Sequence, residues 1–315
     1  MDPAASRVKS SGVKGAACAA AFVCLGILAS RFSFERWVSD HKIPVGDTVA
    51  QTIEYVKTHG HVLFDGVSAL IRGSVEGLTG LLRAIPSPLL ILGVAALSWV
   101  LHRSLPLAAF VVTALLFIMN QGYWEPTLET LSLVIVAALV STAIGVPVGI
   151  AAAHRPRLYA ALHPVLDLMQ TLPTFVYLIP TLVLFGLGVV PGLISTVIFA
   201  LPAPIRLTQL GISSVPTALL EAGRAFGATP TQMLLKVELP GAAPTILAGI
   251  TQCIMLSLSM VVIAALVGAG GLGVPVVRAL NTVQVGMGFE AGFVIVLLAI
   301  LLDRISRPAD KASAP

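Results

Sequence analysis

The stretch Glu221–Pro240, EAGRAFGATPTQMLLKVELP, is a polar interruption in a chain otherwise built to sit in lipid. Pro216, just ahead of it, can open a helix, because the N–H that proline lacks is unsatisfied in a first turn anyway. Leu219, Ala222 and Phe226 then fall near one helical face, with Glu221 and Arg224 on other azimuths. Gly227 supplies a stop. Thr229, Pro230 and Gln232 stand at the spacing of an N-cap, a first helical residue and the glutamine of a capping box. Met233, Leu234 and Val237 give a second helix its apolar side. Pro240 is expected to end that helix, and Pro244 to mark the approach to the next apolar run. The pattern is helix, glycine bend, helix, proline. Taken alone it fits a well-capped connector as well as a rigid docking surface. A rigid pair of helices transmits force where a floppy loop absorbs it.

The surrounding chain supports the lipid reading. It has 315 residues, 57% hydrophobic and only 11% charged, and its mean hydropathy is +0.95. Soluble domains carry about 25% charged residues. Several apolar stretches approach or exceed the roughly 17 to 25 residues that cross a bilayer as helix. A soluble helical core needs far more polar surface than this. The fold class is therefore an all-α polytopic membrane protein. The net charge of +4 does not indicate nucleic acid. The basic residues are scattered at the ends of apolar spans, where they orient a membrane protein. Cys18, Cys24 and Cys253 lie inside apolar segments and read as small buried hydrophobes.

The organisation has three parts: an amino-terminal region at 1–87, a membrane domain at 88–306 containing the polar loop at 213–244, and a tail at 307–315. The apolar segment 13–30 follows Arg7, Lys9 and Lys14 and precedes Arg31 and Arg36. Its length, its flanks and the lack of a clean cleavage signal favour a retained anchor over a signal peptide. In 62–85 apolar residues recur at helical spacing, but Asp65, Arg72, Glu76 and Arg83 interrupt them. Four charges argue against a lipid-exposed span and for an amphipathic surface helix ended by Pro86 and Pro88. Further spans read at 88–101, 105–122, 128–152, 165–187, 192–210, 246–268 and 286–302. Pro147, Pro173, Pro180 and Pro202 are each expected to kink or break a helix. With both termini in the cytoplasm, Arg155, Arg157, Arg224, Lys236, Arg304 and Arg307 fall inside. The short loops around 125–129 and 188–191, which lack Lys and Arg, fall outside, and Arg278 is the exception.

The sequence DLMQTLPTFVYLIP, 167–180, is unusual for a spanning segment. Asp167, Gln170, Thr171, Pro173, Phe175 and Tyr177 are candidates for lining a path. Pro173 frees a carbonyl near Met169, and such a group survives in a membrane only under cover of protein or a wet cavity. That places the segment in the bundle interior. Arg206 reads most simply as a snorkelling side chain, with a pair to Asp167 as the alternative. Glu290 is within reach of Arg278 across the outer loop. The run GAGGLG, 268–273, has no lysine after it and reads as a close-packed or re-entrant bend. GxxxxGK[ST], GxSxG and HExxH are all absent from the sequence, so an enzyme reading has no residues to stand on.

Together these motifs resemble the permease subunits of bacterial glycine betaine/choline ABC importers, of the binding-protein-dependent inner membrane component family. The family's loop pattern is matched by Glu221, Ala222, Gly223, Gly227, Val237, Leu239 and Pro240, with Arg224 and Phe226 between them. Gly223 and Val237 stand where alanine and isoleucine are usual. LDLMQTLPTFVYLIP (166–180), FALPAPIRLTQLGI (199–212) and LSMVVIAALVGAGGLG (258–273) point to the quaternary-amine branch. The first 60 residues do not match. The resemblance implies a type I ABC importer permease fold with kinked helices and a cytoplasmic coupling loop, in the bacterial inner membrane. It implies a second copy of the chain, a cytoplasmic ATP-binding subunit dimer and a periplasmic binding protein as partners, with membrane lipid around them. No cofactor is then bound by this chain; ATP and magnesium belong to the ATPase subunit. The implied role is uptake of choline or glycine betaine for nutrition or osmoprotection, with Glu221 meeting a basic residue of the ATPase. The alternative is a stand-alone secondary transporter or channel for small amines. Against it, Asp167 lies near one end of its span and the rest of the core is poor in charge.

The topology is open to direct test. In a background without native cysteines, Gly188→Cys and Asn281→Cys are expected to react with an impermeant maleimide in intact cells. Arg224→Cys is expected to react only after permeabilisation. Labelling at 224 from outside refutes the orientation.

Overall fold

Backbone hydrogen bonding decides the architecture: with so little charge available, the chain satisfies its polar backbone internally, as helices. The computed structural model describes residues 19–27, 39–40, 42 and 44–307. The chain divides into two units, Met1–Val56 and Lys57–Pro315. In the first, 19–27 is helical and Cys24 is exposed. The remainder of the expected anchor at 13–30, Cys18, and the tail beyond 307 lie outside the described residues.

Helix α1 spans Val45–Ala84, α2 Ser87–His102 and α3 Leu105–Asn120. The expected surface helix at 62–85 is therefore part of a longer helix. It does end before Pro86, where the axis bends by 104° into α2. Val75 is buried against Ala137 and Leu193, with Ile71 beside it, so this face of α1 packs on protein. Arg103 closes the α2–α3 turn at φ 52, and its guanidinium stands 5.4 Å from the centre of the Trp99 ring. With 16 residues each, α2 and α3 rise about 24 Å, less than a hydrocarbon core of about 30 Å.

Helix α4 is Trp124–His154, α5 Pro156–Thr171, α6 Thr174–Phe185, α7 Val189–Ala200 and α8 Pro202–Ser213. The expected span at 165–187 is not straight: α5 and α6 meet at 96°. Pro173 pushes Leu172 out of the helical region, to φ −63 and ψ 135, and the chain turns there. Pro147 and Pro180 stay inside α4 and α6 without ending them, and α7 passes into α8 through Leu201 alone. After the polar loop come α9 Thr217–Ala225, α10 Pro230–Met233, a π-turn Leu234–Glu238, and α11 Leu239–Ser259. Helices α12 Val261–Leu266, α13 Gly273–Thr282 and α14 Val285–Ser306 complete the bundle. Four runs among the described residues are long and apolar enough to cross a membrane: 124–154, 189–213, 230–266 and 285–306.

The centre of the bundle is α8, held between α4 and α11 by a seam of small residues. Gly145 and Gly149 of α4 lie against Pro204, Ile205 and Thr208. Gly249 of α11 meets Leu207 and Pro204 from the other side. Lipid tails are as apolar as leucine, so membrane helices associate through such close packing. A second core joins α2, α3, α11 and α14 through Ile91, Val111, Ile118, Leu258, Val294 and Leu298. The glycine bend between α12 and α13 behaves as its composition suggests. Gly271 has φ +105, and Leu272 N–H donates to Thr130 Oγ1 at 2.8 Å. Glu290 faces the Tyr123 hydroxyl at 3.5 Å rather than Arg278.

A Cβ at position 149 would lie 2.6 Å from Thr208 Cβ and 2.7 Å from the Ile205 carbonyl oxygen. Gly149→Ala is therefore expected to destabilise the subunit by about 1–3 kcal/mol, as overpacking does. Gly93→Ala, whose Cβ meets nothing within 4 Å, is the control. Thermal unfolding of the purified subunit in detergent reads the difference, and equal transitions refute the close α4–α8 approach.

Candidate functional site

The polar loop is a pair of short helices fixed by two interlocking caps. Pro216 is the N-cap of α9. At the other end, Gly227 N–H donates to the Arg224 carbonyl at 2.9 Å and Ala228 N–H to the Gly223 carbonyl at 3.0 Å. These are the two bonds of a Schellman motif, and Gly227 takes the left-handed conformation it requires, φ +73. The next residues are the expected capping box. Thr229 N–H donates to Gln232 Oε1 at 2.9 Å, and Gln232 N–H donates back to Thr229 Oγ1 at 3.4 Å. Between stop and start only Phe226 to Thr229 remain, and each has a defined backbone partner or cap. Met233 is buried and fills the space that a Cβ at Gly223 would take, its Cε 2.8 Å from that position.

Pro240 does not end the second helix. It lacks the N–H that would reach the carbonyl of Lys236. The chain widens instead into the π-turn, where Leu239 N–H reaches back five residues to the Leu234 carbonyl. The helix then runs on through Pro244 into α11. The polar loop is thus continuous with a long apolar helix, a stiffer link than a proline stop. Val237 and Leu239 are half-buried at this junction and Pro240 is exposed.

The pair leaves three large apolar side chains uncovered in the single chain, among exposed polar ones. Phe226 is 93% exposed, Leu235 57% and Leu219 50%. Glu221, Ala222 and Arg224 are exposed on the same helix, and Glu221 and Arg224 form no ion pair with each other or with other described residues. On its inner side the pair is tied to α4: His154 Nε2 lies 2.8 Å from Glu238 Oε2. A groove of about 540 Å³ opens there, lined by His154, Arg224, Met233, Leu234 and Glu238 among others. Neither His154 nor Glu238 was legible as a site residue; 84 positions separate them, and no local pattern links such residues.

The second set of expected residues divides. Arg206 does not simply snorkel: its Nη2 contacts Asp167 Oδ1 at 2.6 Å, and His163 Nδ1 lies 2.9 Å from Asp167 Oδ2. This joins α5 to α8. Thr171 Oγ1 donates to the Asp167 carbonyl at 2.9 Å and Gln170 is exposed. Tyr177 is buried, and its hydroxyl donates to the Met169 carbonyl. That bond covers a carbonyl loosened by the Pro173 break, so Tyr177 holds the bend and its ring does not face open space. The segment as a whole is not interior in the single chain. Phe175, Val176 and Ile179 are 56%, 42% and 63% exposed, while only Leu166, Tyr177, Leu178 and nearby Thr181 are buried.

Residues 145–311 match the family described as binding-protein-dependent transport system inner membrane component. The glycine betaine transport system permease protein OpuAB of Bacillus subtilis is 46% identical over 84% of this chain and 94% of its own. The glycine betaine/proline betaine transport system permease protein ProW of Escherichia coli is 44% identical over 86% of this chain and 76% of its own. Among solved structures, the inward-facing methionine ABC transporter MetNI superposes with a TM-score of 0.52 at 26% identity. It covers 56% of this chain and 89% of the matched chain.

Gly227 is held by its φ alone, since a Cβ there would meet nothing within 4 Å. Gly227→Val is expected to strain the bend by about 1–3 kcal/mol and disturb the helix pair. Gly227→Asn, which tolerates the left-handed region, is expected to be milder. Substrate uptake by cells with equal amounts of subunit in the membrane should fall several-fold for valine and little for asparagine. Wild-type uptake by the valine variant refutes the rigid bend.

Proposed function

The chain belongs to the binding-protein-dependent transport system inner membrane component family, and from that premise we propose that it is the permease subunit of an ATP-driven importer for a betaine-type quaternary ammonium solute. The observation that carries this reading is the loop of α9 and α10. It is rigid at its bend, continuous with α11 through the π-turn, and leaves Phe226, Leu235 and Leu219 exposed. Such a surface suits a soluble partner that drives the membrane helices mechanically. In this reading the partner is a cytoplasmic ATPase subunit, which binds ATP and magnesium, and this chain is non-catalytic. A periplasmic binding protein delivers the substrate. A second copy of the chain covers the exposed side of α6, where Phe175 and Ile179 face outward, and the path runs between the copies. Both termini and the loop are cytoplasmic. The betaine assignment is supported by the names of the relatives at 44–46% identity.

The reading requires an ATPase subunit to copurify with the tagged chain. It also requires cells lacking the chain to lose ATP-dependent uptake of labelled glycine betaine. At the interface, Glu221 meets a basic residue of the ATPase, and truncating such a buried charge pair costs about 2–5 kcal/mol. Glu221→Gln is therefore expected to release the ATPase during purification in moderate salt far more than Arg224→Gln does. Equal, small effects refute the Glu221 contact. Sodium-driven uptake without any ATPase refutes the importer.

A further inference from the structure

A cavity of about 620 Å³ lies between the last turns of α1, the start of α4 and the glycine bend. It is lined by Arg72, Glu76, Arg83 and Glu129 together with the backbone of Gly188 and Gly270. A volume of this order is that of a small-molecule site. Its charges are balanced, two of each sign, in a chain with only 11% charged residues. They are not equally engaged. Arg83 Nη2 holds Glu129 at 2.7 Å, and Arg83 Nε holds Glu125 at 2.6 Å on the rim. Arg72 and Glu76 have no ion-pair partner among the described residues. The bend is shaped around the acid: a Cβ at Gly270 would lie 2.5 Å from Glu129 Oε2.

Arg72 and Glu76 are exposed on α1 where they border the cavity, and the loops beside it, 125–129 and 188–191, are those that the distribution of basic residues puts outside. A ligand that satisfies Arg72 and Glu76 together carries both signs within one small molecule. We propose that this cavity is an outer entry site, ahead of the path between the copies, for a zwitterionic ammonium carboxylate, with Arg72 taking the carboxylate and Glu76 the cationic end. This deepens the importer reading and rests on it. A simple cation gains only the acidic half of the site and leaves Arg72 unpaired. A phospholipid headgroup shares the zwitterionic chemistry, and the test separates the two.

Gly80 also lines the cavity, and a Cβ there meets nothing within 4 Å. The probe is Gly80→Cys in the assembled transporter, free of native cysteines, reacted with a small methanethiosulfonate in proteoliposomes and in detergent. Glycine betaine at millimolar concentration is expected to slow modification at least threefold, choline less, and sucrose not at all. Protection should disappear in Arg72→Gln and persist in Arg72→Lys. Rates that glycine betaine does not change overturn the proposal. A rate lowered by lipid alone, with no further effect of glycine betaine, makes the occupant a headgroup and overturns it equally. Uptake in the same vesicles separates the two levels: glycine betaine uptake without protection sinks only this site, whereas absence of glycine betaine uptake sinks the importer reading beneath it.

Discussion

Every backbone N–H and C=O within a membrane has to find its partner inside the protein, because lipid offers none. In this chain that constraint is met by helices almost throughout the described residues, and the exceptions are few and specific. At Pro173 the helix breaks, and the Tyr177 hydroxyl covers the Met169 carbonyl. At Pro240 the lost bond is absorbed by a π-turn that keeps the helix running. At the glycine bend, Thr130 accepts from Leu272 N–H, and Gly188 N–H donates to the Val267 carbonyl at 2.8 Å. Each exception is repaired by a side chain or a neighbouring strand of backbone. Each also stands where the chain does something besides span.

The repairs connect to one another through packing. The small-residue seam lets α8 lie deep between α4 and α11. Helix α4 carries Glu129 and Thr130 near its start, against the glycine bend, and His154 at its end, against Glu238 of the π-turn. A single 31-residue helix thus touches both the mixed-charge cavity and the polar loop. A stiff element with fixed contacts at both ends ties the loop mechanically to the other end of the bundle. In the same way Arg206 and Asp167 lock α8 to α5, the arm that leads to the Pro173 bend.

Much of the site was legible locally. The Schellman glycine, the capping box and the apolar residues of the second helix depend on neighbours one to five positions away, so Gly227, Thr229, Gln232 and Met233 declared themselves by spacing. The freed carbonyl near Met169 was legible for the same reason, since a proline acts on its own preceding turn. Pro240 was misread because a proline stop and a proline passed through a π-turn look alike until the hydrogen-bond register is known. Within the single chain the 167–180 segment is only partly interior, for a tertiary reason. A 96° bend turns α6 away from the axis of α5, and Phe175 and Ile179 then face outward.

The sequence by itself determined the solvent and the local code. Its scarcity of charge selects helices in lipid, and its prolines and glycines set where those helices start, bend and stop. The tertiary structure alone decided which distant charges meet. Arg83 with Glu125 and Glu129, Arg206 with Asp167, and His154 with Glu238 are separated by 39 to 84 positions. Asp65, Arg72, Glu76 and Arg83 looked alike as interruptions of an apolar run. Only the close packing of the bundle paired one of them and left Arg72 and Glu76 lining a cavity. Charge pairing acts through distance in space, and distance in space is fixed by packing.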